Sequence, residues 1–283
     1  MSLPADHPLL TDPELAPWRG PARALASGRF VSVLRHVQGR RVASLVESDQ
    51  GLAVLKVFAR PRARGNVRRL DLLAASSARH LVPRPLGVDA SGHVSLVDWI
   101  DGTVYDQVDD ATFVAAAGSI GVALRTLHES GAPLDRTWTY EHEVAQLRRR
   151  ATASTLRLAE ELVDDTQSLA EEPLVPSHRD CHPRQIVLRG TDVRFIDLDD
   201  AALAPATLDL GNVIAHIRRD VCLGRRCPES ADAAIESVLA SYGPIPGDLD
   251  AWTRLALARL AGLAETRHGS PEDARRILDL ACV

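Results

Sequence analysis

Lysine is almost absent from this chain, and cysteine and aromatic residues are scarce. Of the 33 cationic side chains among 283 residues, 32 are arginines and one is a lysine, Lys56. The four cysteines lack paired metal-ligand spacing, which argues against a disulfide framework or a zinc site and favours a reduced, cytoplasmic protein. The N-terminal sequence has neither the basic nor the apolar region of a signal peptide, and no apolar run is long enough to span a bilayer. We therefore expect no membrane partner.

The net charge and the length of the chain limit the kinds of partner and the number of domains. A net charge of -5 argues against nucleic acid as the main partner. With 45% hydrophobic residues, the chain can bury a full core in one large or two modest domains. We expect a monomer or a homodimer.

The first third of the chain is rich in strand signals. Three β-rich runs between Arg29 and Phe58 are separated by turn signals at 38–39 and 49–51, which predicts an antiparallel meander. Alternation in the third run places Lys56 on the same face as Val54 and Phe58. A helix is predicted from about 66 to 78, and two short strands around 86–89 and 93–99.

From Gly102 onward the pattern changes from strand to helix, and we place a domain boundary there. A β-hairpin over 185–188 and 193–196 interrupts the helical part. The predicted helices cover 110–131, 140–172, 231–242, 248–266 and 271–280. The sequence thus predicts an α+β protein with an N-terminal extension (1–28), a β-sheet domain (29–101) and a helical domain (102–283).

Four side chains match the requirements of phosphoryl transfer from ATP. That reaction needs a cation on the non-transferred phosphates, oxygen ligands for Mg²⁺, and a base near the acceptor hydroxyl. Lys56 is a compact ammonium in a chain that otherwise uses arginine, and it would hold the α- and β-phosphates. Asp180 would accept or orient the hydroxyl proton. Gln185 and Asp197 would hold Mg²⁺, because the predicted hairpin between them can bring both to one metal.

The segments around these residues resemble a known family. The run His178-Arg-Asp-Cys-His-Pro-Arg-Gln185, with Ile196-Asp-Leu-Asp-Asp200 and Leu208-Asp-Leu-Gly211 after it, is similar to the aminoglycoside phosphotransferase and choline kinase-like family. The resemblance extends from about residue 28 to the C-terminus. It implies a bilobal, protein-kinase-like fold and transfer of the γ-phosphoryl group of ATP, with Mg²⁺, to a hydroxyl of a small molecule.

The resemblance also implies roles for other residues. A hinge-like segment from Val97 to Gly102 would contact the nucleotide through Asp98 and Ile100. His178 would be a structural member of the catalytic loop, and Asp209 would either brace that loop or cap a helix. Asp199 and His182 are further possible members of the site.

The chain departs from the family pattern in three places. Gln185 stands where the family usually has asparagine, and its longer side chain has a different reach. No glutamate follows in the helix after Lys56, so Asp71 is the only acid there that could partner the lysine. The nucleotide-covering loop is poor in glycine. These departures keep a second hypothesis open, a pseudokinase that binds a nucleotide or a partner without turnover.

The spacing of two aspartates argues against a protein kinase. Only 12 residues separate Asp197 from Asp209, which is too short for the activation segment of a protein kinase.

The helical domain offers acids that would suit a polycationic aminoglycoside, whereas the arginine pairs at 218–219 and 225–226 would suit an anionic acceptor. Those acids are Asp106, Asp109, Glu141, Glu143, Asp220 and Glu229. The sequence leaves open an aminoglycoside, another antibiotic, or a sugar- or amino-alcohol-like metabolite.

Overall fold

The computed structural model describes residues 3–152, 156–165, 169 and 172–282. The chain divides into two compact units, Met1–Asp101 and Gly102–Val283. The division falls where the sequence changes from strand to helix signals. Each unit has its own hydrophobic core.

The first unit is built on a five-stranded antiparallel sheet with the strand order β1-β2-β3-β5-β4. Its strands are β1 (Phe30–Val37), β2 (Arg41–Ser48), β3 (Gly51–Phe58), β4 (Pro85–Val88) and β5 (Val94–Asp98). Its helices are α1 (Pro8–Thr11), α2 (Arg19–Leu25) and α3 (Ala63–Ala74). The predicted meander and the two following strands are therefore present.

Side-chain alternation in β3 gives the sheet two different faces. Ala53, Leu55 and Val57 are fully buried in the core of this unit. Lys56 points to the other face and is half-buried, as the alternation predicted. In register, Lys56 lies opposite Ala43 of β2 and Ser95 of β5, so β3 is an interior strand.

The segment from Leu9 to Ala26 packs onto the sheet. Leu9, Leu15, Ala22 and Ala26 are buried in the same core as the apolar face of β3. Asp12, also buried, accepts hydrogen bonds from the His36 ring and from the backbone N–H in the β1–β2 turn. The segment that the sequence analysis set apart as an extension is thus part of this unit.

The helix after Lys56 lies a few residues earlier than predicted. α3 begins at Ala63 and ends at Ala74, whereas the prediction ran from about 66 to 78. Ser76 explains the early end, because its hydroxyl accepts from the Ala78 backbone N–H and starts a separate turn of 3₁₀ helix at 77–80.

The second unit is mainly helical. Its helices are α4 (Asp110–His128), α5 (Tyr140–Arg150), α6 (Leu156–Asp165), α7 (Ala206–Cys222), α8 (Pro228–Tyr242), α9 (Leu249–His268) and α10 (Pro271–Ala281). Its short strands are β6 (Thr103–Val104), β7 (Leu174–Ser177), β8 (Ile186–Arg189), β9 (Asp192–Phe195) and β10 (Ala202–Pro205). β8 and β9 form the predicted hairpin, and β7 pairs antiparallel with β10.

The two longest helices described in this unit, α4 and α9, differ in burial. α9 is buried at almost every position from Ala251 to Gly262. α4 is apolar and long enough to cross a membrane by composition alone, but it packs closely against α8. A Cβ atom at Gly121 would lie 2.2 Å from the Val238 carbonyl oxygen, so the two backbones approach more closely than a larger residue would allow.

Two helix predictions need correction. The single helix predicted for 140–172 ends at Arg150, because Ala151 is extended with φ -62° and ψ 134°. A separate helix, α6, follows, and the last part of the predicted span, apart from Leu169 and Glu172, lies outside the described residues. α7 was not among the predicted helices, although capping of a helix by Asp209 was one of the two roles considered.

Candidate active site

The loop that carries Asp180 begins at the end of β7. His178 is fully buried, and its Nε2 atom lies 3.0 Å from the Ile196 carbonyl oxygen, just beyond β9. Arg179 has a φ of 71°, in the left-handed region that non-glycine residues adopt at a cost of about 1 kcal/mol or more. The loop must therefore be held by contacts from outside.

Asp209 supplies those contacts from the first turn of α7. Its two carboxylate oxygens accept the backbone N–H groups of His178 and Arg179, each at 2.7 Å. His128 of α4 lies 3.2 Å from one of these oxygens, and its other ring nitrogen lies 3.0 Å from the Tyr242 hydroxyl. The carboxylate is fully buried and bonds to the loop rather than capping its own helix. Such charge-assisted bonds are stronger than neutral ones.

Gln185 and Asp197 lie at the open end of the β8–β9 hairpin. Ile186 pairs with Phe195, and the Ile196 N–H donates to the Gln185 carbonyl oxygen at 2.9 Å. The Gln185 amide nitrogen lies 3.5 Å from an Asp197 carboxylate oxygen. The hairpin thus brings the two proposed metal ligands together.

These two side chains fit the needs of Mg²⁺. It prefers oxygen ligands and commonly takes only one or two protein carboxylates, with water and substrate phosphates completing its shell. The Gln185 amide oxygen and the Asp197 carboxylate supply hard oxygen atoms of this kind. No group of three or more Asp, Glu, His or Cys side chains suited to a metal occurs in the part of the chain that the structure describes.

Asp199 does not share a strand face with Asp197. β9 ends at Phe195, Asp197 is left-handed with φ 58°, and residues 198–200 form a turn of 3₁₀ helix. Because the strand does not continue, the alternation that would have aligned the two carboxylates does not apply. The next acid, Asp200, pairs with Arg136 and Arg179.

Asp180 lies beside a buried arginine that the sequence analysis missed. Its side chain is 42% exposed, and one carboxylate oxygen lies 3.8 Å from Nη1 of Arg259. Arg259 comes from the middle of α9 and is 4% exposed. A charged residue within the apolar run from Leu255 to Ala261 was the signal that could have identified it.

Arg259 has two further partners. Its Nε lies 3.1 Å from a Glu143 carboxylate oxygen, an ion pair whose N–H is not aligned for a hydrogen bond. Its Nη2 donates to the Asn212 side-chain oxygen, while the Asn212 amide donates to the Arg179 carbonyl at 2.9 Å. Asn212 therefore links this guanidinium to the loop that carries Asp180.

His182 stacks on His216 of α7, with ring centroids 4.3 Å apart. Burial lowers the pKa of His182 to about 4, although Asp180 opposes the shift. Burial also places the pKa of His216 well below its ordinary value, and His182 adds to this effect. His182 Nδ1 accepts the Arg184 backbone N–H at 3.2 Å. Both rings are neutral at pH 7 and fill space beside the loop.

The nucleotide-binding candidates of the first unit have simpler surroundings. Asp71 is exposed on α3. Asp98 ends β5, and its carboxylate pairs with Arg84 at 3.0 Å. Ile100 follows the strand and is half-buried, and the Trp99 N–H donates to the Leu52 carbonyl oxygen at 3.1 Å.

Three of the four arginines at 218–219 and 225–226 pair with acids. Arg219 pairs with Asp220 at 2.7 Å, and Arg226 pairs with Asp110 at the same distance. Arg184 likewise pairs with Asp106 at 2.7 Å. Several acids and arginines that suggested opposite acceptors from sequence therefore neutralise one another.

Comparisons with known proteins agree with this arrangement. Residues 32–265, the greater part of the chain, match a family model described as a phosphotransferase enzyme family. No curated protein matches the sequence.

Solved structures of small-molecule kinases have a similar fold. The choline kinase LicA from Streptococcus pneumoniae is 13% identical with a TM-score of 0.68, over 94% of this chain and 98% of that one. An aminoglycoside phosphotransferase from Streptomyces rimosus is 22% identical with a TM-score of 0.65, over 88% and 98%. A glucosamine kinase is 21% identical with a TM-score of 0.65, over 93% and 85%. The predicted α+β, protein-kinase-like fold is thereby confirmed, and the chain belongs to the phosphotransferase enzyme family.

Proposed function

We propose that the protein transfers the γ-phosphoryl group of ATP to a hydroxyl of a small molecule, with Mg²⁺ as cofactor. The observation that carries the proposal is the loop between β7 and β8. Asp209 holds it in place with two backbone hydrogen bonds. The loop presents Asp180 with an exposed carboxylate, and the hairpin that follows places Gln185 beside Asp197.

Each residue has a defined part in the reaction. Asp180 orients the acceptor hydroxyl and takes its proton as the oxygen bonds to the γ-phosphorus. The bond between that phosphorus and the β–γ bridging oxygen breaks, and ADP leaves. Lys56 holds the α- and β-phosphates. Gln185 and Asp197 hold Mg²⁺, which when bound neutralises charge that develops on the phosphate oxygens.

Neighbouring structures support the choice of cosubstrate and acceptor class. The Streptomyces rimosus enzyme has been solved with ADP and streptomycin, and the glucosamine kinase with glucosamine, ADP and inorganic phosphate. An amicoumacin kinase has been solved with AMP-PNP and Ca²⁺. These complexes favour a nucleotide, a divalent cation and a small-molecule acceptor for this chain as well.

The first test is ADP release from ATP and Mg²⁺ with a panel of aminoglycosides, other antibiotics, sugars, hydroxy acids and amino alcohols. We expect turnover with one class of acceptor and none in Asp180→Asn. Asp192→Asn, in the exposed hairpin turn, is the matched control and should retain activity. Turnover that survives in Asp180→Asn would remove this residue from the reaction.

A thermal-shift titration separates this function from the pseudokinase alternative. We expect ATP to raise the melting temperature only with Mg²⁺ present, and Asp197→Ala to lose that effect. Metal-dependent binding without turnover on any acceptor would favour a pseudokinase. Stabilisation by ATP that does not need the metal would contradict the roles given to Gln185 and Asp197.

Lys56→Arg tests the phosphate contact. A forked guanidinium cannot replace a compact ammonium in a fitted site, so we expect the KM for ATP to rise about tenfold or more. Arg60→Lys, the reverse exchange at an exposed position, should leave it unchanged. An unaltered KM in Lys56→Arg would show that Lys56 does not bind the nucleotide.

A further inference from the structure

Three arginines come from α5 and α9, two helices that pack against each other, and one of the three, Arg259, lies 3.8 Å from Asp180. Arg150 is the last residue of α5, while Arg259 and Arg267 belong to α9. The pKa of Arg150 falls to about 10, because its guanidinium is partly buried and because Arg259 and Arg267 lie near it. Glu143 and Asp180 oppose that shift, so all of these charges share one region of the unit.

Close packing fixes the position of Arg150. A Cβ atom at Gly262 of α9 would lie 2.5 Å from the Arg150 carbonyl oxygen, so only glycine allows this approach. Glu143 precedes Arg150 by seven residues and therefore lies on the same face of α5. Glu143 forms an ion pair with Arg259. This face of α5 therefore carries the paired carboxylate of Glu143 near its start and the guanidinium of Arg150 at its end.

The three arginines differ in how their charges are balanced. Arg259 has carboxylates of Glu143 and Asp180 within ion-pair distance. Among the residues that the structure describes, none places a carboxylate within that distance of Arg150. Its neighbour Arg148 pairs with Glu160, and Glu265 of α9 accepts from the Thr152 hydroxyl at 2.6 Å.

A partly desolvated guanidinium near two others is costly unless an anion joins them. A guanidinium also presents two parallel N–H groups that match a carboxylate or phosphate. The surroundings of Arg150 therefore suit an oxyanion. They disfavour a polycation, because a cationic ligand would meet the same repulsion that lowers the pKa of Arg150.

We propose that the acceptor carries an oxyanion, a carboxylate or a phosphate, which Arg150 binds with help from Arg259. The inference rests on the proposed function, since the hydroxyl of the same molecule would lie at Asp180. It names the substrate class as hydroxylated acids rather than amino sugars. Arg150 would be a specificity-determining residue, and Arg259 a positioning residue shared between substrate and base.

Paired acceptors test the charge requirement. ADP release is measured with glycerate, gluconate and glucose 6-phosphate, each against its neutral counterpart, glyceramide, gluconamide or glucose. Streptomycin and glucosamine form the cationic arm. We expect at least one anion to exceed its neutral counterpart about tenfold or more in kcat/KM. The carboxylate and phosphate arms distinguish the two forms of oxyanion.

Arg150→Gln tests the residue, with Arg149→Gln as the matched control on the exposed side of the same turn. We expect Arg150→Gln to raise the KM for the anionic acceptor about thirtyfold with little change in kcat, and to abolish the preference over the neutral counterpart. Arg149→Gln should behave like the unaltered protein. A preference for the anion that persists in Arg150→Gln would overturn the assignment.

A binding measurement decides the question independently of turnover. The same anions are titrated into the unaltered protein and both variants, and the melting temperature is followed without nucleotide. Stabilisation that is lost in Arg150→Gln alone supports the proposal even if no acceptor is turned over. Turnover with cationic or neutral acceptors only would overturn the anion site and leave the phosphotransferase function intact. Absence of both turnover and Mg²⁺-dependent ATP binding would instead count against the proposed function.

Discussion

Two groups of charges meet at the loop of Asp180, and they are balanced in different ways. Around Asp209, every carboxylate oxygen has a partner, and the group is closed to solvent. Around Arg259, the carboxylates of Glu143 and Asp180 both lie within ion-pair distance, and Asp180 stays 42% exposed. A closed set of hydrogen bonds fixes a backbone, whereas an incompletely paired set leaves capacity for a ligand. We call the contacts around Asp209 the scaffold. We call the group of Arg259, Glu143 and Asp180 the recognition surface.

Removing a hydrogen bond of Asp209 should have the largest effect on both stability and activity. In Asp209→Asn, one of the two loop N–H groups would face an amide N–H instead of an oxygen and would remain buried without an acceptor. We expect the free energy of unfolding to fall by about 3 kcal/mol, with loss of nearly all activity. Urea denaturation and ADP release measure the two effects. Asp232→Asn, an exposed exchange on α8, is the control, and equal stability of the two variants would contradict the role of Asp209.

Breaking the recognition surface should cost less stability. Glu143→Gln removes the carboxylate between Arg259 and the Trp138 indole N–H, which donates to Glu143 at 3.0 Å. We expect a loss of about 2 kcal/mol, because Arg259 stays buried and keeps Asp180 and Asn212 as partners.

The same variant should alter catalysis through Asp180. Without the Glu143 carboxylate, Arg259 keeps Asp180 as its carboxylate partner and should hold that side chain more firmly, away from the acceptor hydroxyl. We therefore expect kcat to fall while the Kd for ATP with Mg²⁺ stays unchanged. Glu141→Gln, two residues earlier on the exposed side, serves as control. A kcat unchanged by Glu143→Gln would show that Glu143 does not act on Asp180 through Arg259.

The smallest expected effect is a dependence of stability on pH that comes from His182, which stacks on His216. The pKa of His182 is about 4 in the folded protein and near 6.5 when unfolded, so the unfolded chain binds the proton first as pH falls. Stability is therefore full above about pH 6.5 and declines as pH falls towards 4. The melting temperature should decrease less between pH 7 and pH 5 in His182→Gln than in the unaltered protein. His80→Gln, at an exposed position, should not change the decrease.

The sequence predicted the motif residues and the hairpin better than the surroundings of Arg259. Lys56, Asp180, Gln185 and Asp197 stand in short motifs whose local spacing limits where they can lie. The hairpin prediction was correct because β8 and β9 are joined by a short turn in which Gly190 adopts a φ of 62°. The Asp209 contacts span about 30 residues, and only the family resemblance pointed to them.

Arg150 and Arg259 could not be paired from sequence. They are more than 100 residues apart, and their proximity depends on how α5 packs against α9 at Gly262. The prediction of one helix through 140–172 also concealed that Arg150 ends a helix. Of the four arginines at 218–219 and 225–226, which the sequence made conspicuous, three pair with nearby acids.

The central claim is the proposed role of Asp180 as the base for the acceptor hydroxyl. The most direct test is to measure both the Kd for ATP and kcat in Asp180→Asn. Because the proposed role of Asp180 is on the acceptor and not on the nucleotide, we predict an unchanged Kd for ATP with Mg²⁺. We also predict a fall in kcat of about a hundredfold or more, the usual contribution of a positioned base. A kcat close to that of the unaltered protein, at equal ATP affinity, would contradict the account.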